Sequence, residues 1–127
     1  MNLLFLQYPS CGTCRKAAKW LRENNIEVVS RHIVDENPSE KELSEWIKKS
    51  GLPILKFFNT SGQVYKENNL KNIVKTASNE ELIRLLAQSG KLIKRPILVA
   101  DDFVLVGFDE MEWGNKLKNY VQTKPSK

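Results

Sequence analysis

The chain contains only two cysteines, and they lie three positions apart in the segment Cys11-Gly12-Thr13-Cys14. A continuous apolar run precedes the pair and a helical pattern of apolar residues follows it, so the pair is expected where a buried strand leads into a helix. Cysteines at this spacing in that context are typical of a dithiol–disulfide pair. A structural zinc site would need about four ligands, and His32 is the one further soft or borderline ligand in the sequence. The sequence therefore predicts redox chemistry and no metal.

The two sulfurs are predicted to differ in reactivity because they occupy different positions in the first turn of the helix. Free backbone N–H groups and the positive end of the helix dipole stabilise a thiolate at Cys11, and such cysteines have pKa values of about 3.5 to 7.5. Cys14 begins the buried stripe of the helix and can attack a mixed disulfide formed on Cys11. Cys11 is thus the predicted nucleophile and Cys14 the predicted resolving thiol.

The same helix start is a candidate anion site, because N–H groups that stabilise a thiolate also bind oxyanions. Gly12 lets a bound group approach the backbone closely, and Thr13 belongs to the same turn. Arg15 either supports the thiolate or is an exposed helix arginine.

Lys94-Arg95-Pro96 is a second candidate segment, since a proline directly before a buried strand is a candidate for a cis peptide bond. A cis bond at Pro96 would hold Arg95 in one direction. On the local sequence, an arginine beside the thiolate and an arginine in a surface loop are equally good interpretations.

The apolar patterning predicts an α/β fold with a mixed sheet. Its first part is a β-α-β unit with parallel strands, and its last part is an antiparallel hairpin followed by a helix. In the first part we expect a strand over residues 2–8, a helix with Cys14 and Leu21 on its buried face, and a strand over 26–34. Helices then begin at the capping boxes of Ser39 and Ser78, with short helical pieces between them. The last part has strands over 97–100 and 103–106, followed by a helix that Asp109 caps and that has Tyr120 and Val121 on its apolar face.

This order matches the thioredoxin arrangement with a helical insertion, at about residues 37–90, between its two halves. A length of 127 residues suits one packed domain, which we expect to span residues 1–121. Residues 122–127 are predicted to form a basic flexible tail.

The net charge of +5 is concentrated at the end of the chain. Residues 115–127 carry four lysines and no acid, which leaves 16 bases against 15 acids in the rest of the chain. A nearly neutral body argues against a nucleic-acid groove. No apolar run is long enough to span a membrane or to act as a secretory signal, so we expect a cytoplasmic protein that binds neither nucleic acid nor membrane directly.

These residues together resemble the arsenate reductase/Spx family of thioredoxin-like proteins. The resemblance covers residues from about 2 to 120. It implies that Cys11 is the reactive cysteine, that Pro96 is a cis-proline beside it, and that Arg95 stabilises its charged state. It also implies no bound cofactor and a thiol reductant, either glutathione with glutaredoxin or thioredoxin. The motifs that carry it are Tyr8-Pro9-Ser10-Cys11-Gly12-Thr13-Cys14-Arg15-Lys16, Leu92-Ile93-Lys94-Arg95-Pro96-Ile97 and Leu105-Val106-Gly107-Phe108.

Departures from the family pattern distinguish its branches. Glutaredoxin-coupled arsenate reductases have a serine at the position of Cys14 and further arginines at positions that match Asn59 and Gly107. With Arg95 alone left from that set, efficient arsenate reduction is not expected. Spx-type regulators carry C-x-x-C as a redox switch and bind the C-terminal domain of the RNA polymerase α subunit near a glycine that matches Gly51. A general thiol–disulfide redox protein is therefore our first prediction, and a polymerase-binding regulator is the second.

Overall fold

Four short strands form one mixed sheet in the part of the chain that the computed structural model describes, residues 3–60, 62–67 and 70–118. They are β1 (Leu4–Gln7), β2 (Val29–His32), β3 (Ile97–Val99) and β4 (Val104–Val106). Their order across the sheet is β2-β1-β3-β4. β1 and β2 run parallel, whereas β3 is antiparallel to both β1 and β4. The predicted α/β class and mixed sheet are confirmed.

The helices of the described residues lie in the order that the patterning predicts. One follows β1, one follows β4, and the others lie between β2 and β3, where they form the helical insertion. The α-helices are α1 (Gly12–Glu23), α2 (Glu40–Ser50), α3 (Gln63–Glu67), α4 (Leu70–Thr76), α5 (Asn79–Gln88) and α6 (Glu110–Leu117), and 3-10 helices span Ile54–Phe57 and Gly90–Leu92. None of these helices combines the length and the apolar composition that a membrane-crossing segment requires.

Both capping boxes form as predicted. The Ser39 hydroxyl accepts the Glu42 N–H at 3.1 Å, and the Glu42 carboxylate accepts the Ser39 N–H at 3.0 Å. Ser78 and Glu81 repeat this arrangement at the start of α5. Two of the backbone N–H groups that each helix start would otherwise leave unpaired are thereby satisfied.

The sheet buries one apolar cluster on each face, because successive side chains of a strand point to opposite sides. Phe5 and Leu98 face α1 and α6, whereas their neighbours Leu6 and Ile97 face α2 and α5. The first face also contains Ala17, Leu21, Leu105, Trp113 and Leu117, and the second contains Leu43, Trp46, Phe57, Leu82, Leu86 and Val104. The sheet positions α1, and with it the cysteine pair, on the face that α6 also covers.

The second strand is shorter than predicted, since β2 covers Val29–His32 and not residues 26–34. At its start, the Ile26 N–H still bonds to the Leu21 carbonyl at 2.9 Å, as part of the helix end. At its other end, His32 Nδ1 accepts the N–H groups of Val34 and Asp35 at 3.2 and 3.0 Å. Local hydrogen bonds therefore replace the sheet ladder on both sides.

The hairpin strands are also slightly shorter than the predicted 97–100 and 103–106, and the Ala100 N–H bonds to the Phe103 carbonyl at 2.9 Å beyond them. Asp109 caps α6 as predicted. Tyr120, Val121 and the predicted tail at 122–127 lie outside the described residues.

Candidate functional site

Cys11 lies directly before the first turn of α1, at the end of the sheet where the C-terminus of β1 lies. The backbone of Cys11 is extended, with φ −87° and ψ 119°. Cys11 is therefore the N-cap, the last extended residue before the helix begins. The Cys11 N–H donates to the Tyr8 carbonyl at 2.9 Å, and the Cys11 carbonyl accepts the Arg15 N–H at 3.1 Å. The side chain of Cys11 is half-buried and faces a pocket. The predicted position at the helix start is therefore observed.

Several groups act on the pKa of the Cys11 thiol. Partial burial raises it, which is the largest single effect. The backbone N–H and the thiol of Cys14, the positive charge of Arg95 and the Thr13 N–H all lower it. Together they outweigh burial, so that the pKa of Cys11 lies below the ordinary value near 9. A helix start and a nearby cation are the environment in which a cysteine is reactive.

Cys14 lies on the inner side of the same turn and is 1% exposed. Its sulfur accepts the Tyr8 N–H at 3.4 Å, and the Cys11 side chain is close enough to act on its pKa. Burial, helped by the neighbouring Cys11, raises the pKa of Cys14 to about 12, although the Tyr8 N–H and Arg95 oppose this. Both thiols are free in the structure. Two interacting sulfurs thus have pKa shifts in opposite directions.

Arg95 approaches the pair from the segment before β3, where the Arg95–Pro96 peptide bond is cis. Its Nη1 donates to the carbonyls of Lys91 and Ile93 at 3.2 and 3.4 Å. Its guanidinium lies over the ring of Tyr8, 5.0 Å from the centroid. Its Nε is buried and has no hydrogen-bond partner among the described residues. Arg95 is therefore held beside the cysteines with donor capacity left over.

A pocket of about 400 Å³ opens beside Cys11. Its wall combines the nucleophile candidate with cations, one carboxylate, one amide and two apolar side chains. The lining residues are Cys11, Thr13, Asn59, Lys94, Arg95, Val106, Gly107, Phe108 and Asp109. A space of this size is in the range of sites for small organic ligands.

The residues predicted from sequence divide into three groups around this pocket. Cys11, Thr13 and Arg95 line it. Gly12 and Arg15 are exposed and do not belong to its wall, so for Arg15 the geometry matches the exposed helix arginine. The remaining two predicted residues are buried and do not line the pocket, Cys14 inside the first turn of α1 and Pro96 before β3.

Four residues of the pocket wall, Lys94, Val106, Phe108 and Asp109, have no pocket role in the sequence-based predictions. Lys94 and Phe108 stand beside Arg95 and Gly107, which the family pattern does mark, and this adjacency was the available signal. Asp109 caps α6, as the sequence predicts, because its Oδ1 accepts the N–H groups of Met111 and Glu112 at 3.0 and 3.2 Å. Asp109 also lines the pocket, and this second role depends on how β4 packs.

Asn59 and Gly107, the positions at which the sequence departs from arginine, both line the pocket. Gly107 has φ +75°, which favours glycine, and a Cβ there would lie 3.0 Å from Cε of Lys94. The Lys94 side chain therefore lies across the space that a side chain at position 107 would enter.

His32 makes an edge-to-face ring contact with Tyr8 at 5.6 Å between centroids, and the same Tyr8 ring carries the Arg95 guanidinium. It is partly buried, and its Nδ1 accepts two backbone N–H groups, which identifies it as a packed strand imidazole. In the described parts of the chain, no group of three or more His, Cys, Asp or Glu side chains could hold a metal ion.

Comparison with known proteins places this arrangement in a family. The model of the ArsC family matches residues 6–115, which include Cys11, Cys14 and Arg95. The chain belongs to the ArsC family. A crystal structure of an ArsC family related protein from Bacteroides fragilis is 59% identical, with a TM-score of 0.88, over 91% of this chain and 97% of that one. YusI of Bacillus subtilis is 50% identical over 110 residues, 87% of this chain and 93% of YusI.

Other relatives carry names from two functional classes. The regulatory protein MgsR of Bacillus subtilis is 36% identical over 87% of this chain and 86% of its own length. The global transcriptional regulator Spx of the same organism is 31% identical over 82% and 78%. A structure from Streptococcus mutans described as "a possible arsenate reductase" is 38% identical, with a TM-score of 0.78, over 84% and 90%. The predicted arsenate reductase/Spx relationship and the thioredoxin-like fold are thus confirmed.

Proposed function

We propose that this ArsC family protein is a thiol–disulfide redox protein in which Cys11 is the nucleophile and Cys14 the resolving thiol. The observation that carries the proposal is the environment of the pair. Cys11 faces a pocket beside Arg95, whereas Cys14 is buried but close enough to Cys11 for each sulfur to act on the pKa of the other. An accessible ionised sulfur and a protected neighbour are the two parts that a dithiol mechanism needs.

The first step is attack of the Cys11 thiolate on one sulfur of a substrate disulfide. A bond forms between Cys11 Sγ and that sulfur, the substrate S–S bond breaks, and one substrate thiolate leaves with the electron pair. Arg95 is the positioning cation here, because its charge favours the ionised form of Cys11. The lowered pKa of Cys11 keeps a larger fraction of it ionised at neutral pH than an ordinary cysteine would have.

The second step is attack of Cys14 on Cys11 Sγ. Cys14 loses its proton to the departing thiolate, the Cys11–Cys14 disulfide forms, and the second substrate thiol is released. The two cysteines together lose two electrons, and the substrate gains two. Burial is the main cause of the raised pKa of Cys14, but the charge of Cys11 contributes. The mixed disulfide removes that charge, so the first step makes the second easier.

The oxidised pair must then be reduced by an external thiol. Glutathione with glutaredoxin, or a thioredoxin, supplies the two electrons by the same exchange chemistry in reverse. We propose Gly12, Thr13 and Arg15 as secondary contacts for the incoming group, with Thr13 the one that lines the pocket, and Pro96 as the residue that orients Arg95.

Arsenate is not the proposed substrate. Its adduct on Cys11 would carry several negative charges and use several charge-assisted donors. Asn59 and Gly107 line the pocket where the family pattern has arginines, so that Arg95 and Lys94 are the cations of the wall. Sustained arsenate turnover with glutathione and glutaredoxin that is lost in Cys11→Ser would contradict this exclusion.

The test of the proposed function combines ultraviolet thiolate absorbance with a redox titration followed by mass. Titration of the reduced protein should show one thiolate that forms below the ordinary thiol value near 9, and this signal should be absent in Cys11→Ser. Mild oxidation should remove two mass units by forming one internal disulfide. An ordinary pKa for Cys11, or no internal disulfide, would reject the proposal.

A second candidate function is a redox-sensing regulator that binds the C-terminal domain of the RNA polymerase α subunit. The relatives MgsR and Spx are named as regulators. In this chain, Gly51 ends α2 with φ +70°, and Leu52 and Leu55 are exposed just beyond it. A glycine turn followed by exposed leucines is a suitable docking surface for such a domain.

A pull-down with the purified C-terminal domain of the polymerase α subunit tests this second function. Binding that differs between the reduced and oxidised protein, and that Leu55→Asp weakens, would support regulation. The exposed Lys19→Ala on α1 is the matched control. Absence of binding in both redox states would remove the candidate.

A further inference from the structure

We propose that Lys94 makes the pocket selective for disulfides that carry a carboxylate. This inference rests on the proposed thiol–disulfide function and identifies the class of substrate for it. Lys94 lies outside the cysteine motif, and its role follows from the available donor groups and the shape of the pocket wall.

Lys94 is the cation of the pocket wall whose donor group is available for a ligand. Lys94 is exposed, and among the described residues its ammonium has neither an ion-pair nor a hydrogen-bond partner. Arg95 uses Nη1 for two carbonyls, and its Nε is buried, so Arg95 contributes its positive charge to this wall. An exposed ammonium without a partner, next to a second cation on the same wall, is a suitable site for a carboxylate.

The absence of a side chain at Gly107 allows the Lys94 side chain to lie along the pocket wall. The backbone N–H of Lys94 is held by the Phe57 carbonyl at 2.8 Å, and that of Gly107 by the Pro96 carbonyl at 2.8 Å. With these backbones fixed, the absence of a side chain at Gly107 leaves room for the Lys94 stem, whose Cε would be 3.0 Å from a Cβ there. The ammonium therefore extends over the pocket wall.

The negative groups of the site do not cancel this attraction. Asp109 is the carboxylate of the pocket wall, and its Oδ1 is occupied by the first N–H groups of α6, where the helix dipole offsets its charge. The ionised Cys11 is already matched by Arg95, which lowers its pKa. The charge of Lys94 is left for the ligand.

The remaining wall favours an organic anion over a bare oxyanion. Val106 and Phe108 supply apolar surface, and Phe108 is held by ring contacts with Trp20 and Trp113 at 6.1 and 5.0 Å between centroids. A volume of about 400 Å³ exceeds what a single tetrahedral anion needs. A short carbon chain between sulfur and carboxylate would contact this apolar wall while its carboxylate meets Lys94.

The experiment compares three disulfides of different charge in the Cys14→Ser background, which isolates the first exchange step. Dithiodipropionate is anionic, hydroxyethyl disulfide is neutral and cystamine is cationic. The measured quantity is the second-order rate of mixed-disulfide formation on Cys11, expressed as the ratio of each charged substrate to the neutral one. This ratio removes any change in the intrinsic reactivity of Cys11.

We expect the anionic-to-neutral ratio to fall about two- to fivefold in Lys94→Ala and further in Lys94→Glu, since an exposed charge pair contributes up to about 1 kcal/mol. The cationic-to-neutral ratio should rise in Lys94→Glu. Added salt should reduce the anionic advantage that the wild-type lysine gives, because screening weakens it. Lys19→Ala, an exposed lysine of α1 outside the pocket wall, is the control and should change neither ratio.

Two negative results have different meanings. Equal ratios in Lys94→Ala, Lys94→Glu and Lys19→Ala, with all three disulfides reacting at Cys11, would overturn the selectivity and leave the redox function intact. Failure of all three disulfides to react would reject the proposed function, and the selectivity with it.

Discussion

Cys11 and Cys14 lie one helical turn apart and experience opposite surroundings. Cys11 is half-buried at the rim of a pocket, beside the helix N–H groups and the charge of Arg95. Cys14 is 1% exposed and faces the core side of the turn. The pKa of the first sulfur is lowered, and burial raises that of the second to about 12.

The difference shows that one turn of helix is enough to separate two chemical roles. Residues three apart on a helix lie on nearly the same face, so the pair can form a bond. The first of them stands before the helix, where N–H groups are free, and the second stands inside it. The same local geometry therefore brings the sulfurs together and makes them unequal, and replacing each sulfur in turn separates the two effects.

The largest expected effect belongs to Cys11→Ser. Since the hydroxyl is not ionised at neutral pH and Cys14 is protonated and buried, disulfide reduction should fall on the order of a thousandfold or more. The measurement is the steady-state rate of hydroxyethyl disulfide reduction with a coupled thiol reductant. Retention of wild-type turnover would mean that Cys14 is the nucleophile and that the assignment of the two roles is reversed.

Cys14→Ser should stop turnover while preserving the first step. One equivalent of substrate thiol is released in a burst, and a mixed disulfide on Cys11 then accumulates because no resolving thiol is present. Mass spectrometry of the quenched reaction detects the adduct, and peptide mapping assigns it to Cys11. Undiminished multiple turnover without accumulation would show that an external thiol resolves the intermediate and that Cys14 has another role.

The sequence was sufficient to locate this pair because its environment is local. The spacing of Cys11 and Cys14 and the change from strand to helix pattern lie within one short segment, so helix-start physics applies directly. The opposite wall of the pocket is not local. Lys94, Phe108 and Asp109 come from the other half of the chain, and they meet Cys11 because β3 pairs with β1 and β4 with β3.

In the helical insertion, too, the sequence predicts the elements that have a local signal and misses those that depend on distant contacts. Its two long helices have capping boxes and regular apolar spacing, and both were predicted at the correct starts. Between them, only short helical pieces were predicted, and their bounds depend on distant contacts. Asn59, for example, donates its N–H to the Leu92 carbonyl at 2.7 Å, next to an isolated bridge between Phe58 and Ile93. Such pairings have no local sequence signal.

Arg95→Ala should produce a smaller change that acts on Cys11. Loss of the positive charge raises the pKa of Cys11, so less of it is ionised at neutral pH. A less acidic thiol is also more nucleophilic once ionised, with a Brønsted coefficient of about 0.4–0.5, so we expect a fall of only about two- to fivefold in the exchange rate near pH 7. The rate with a neutral disulfide, measured against pH, reports both effects.

The matched control for this change is Arg95→Lys, which keeps the charge but loses the planar contact with Tyr8. Its midpoint on the pH axis should lie between those of the wild type and Arg95→Ala. If Arg95→Ala leaves the midpoint where it is in the wild type, then the N–H groups of the helix start account for the thiolate without Arg95.

The last expected effect is on folding stability at alkaline pH and leaves the exchange chemistry itself unchanged. Above the ordinary thiol value near 9, the unfolded chain loses the Cys14 proton, whereas the folded chain keeps it up to about 12. The folded state then binds more protons, so the free energy of unfolding falls as pH rises, by at most about 1.4 kcal/mol per pH unit. Cys11 acts oppositely: its lowered pKa adds stability as pH rises through the folded value towards 9.

Urea unfolding under reducing conditions, from about pH 8 to about pH 10, can separate these two contributions. Because lysines and tyrosines titrate in the same range, the informative quantity is the difference between each variant and the wild type. Cys14→Ser should become relatively more stable than the wild type as pH rises past 9, and Cys11→Ser should not. If both serine variants changed in parallel with pH, the two sulfurs would have the same surroundings in solution, and the inequality on which their separate roles depend would be absent.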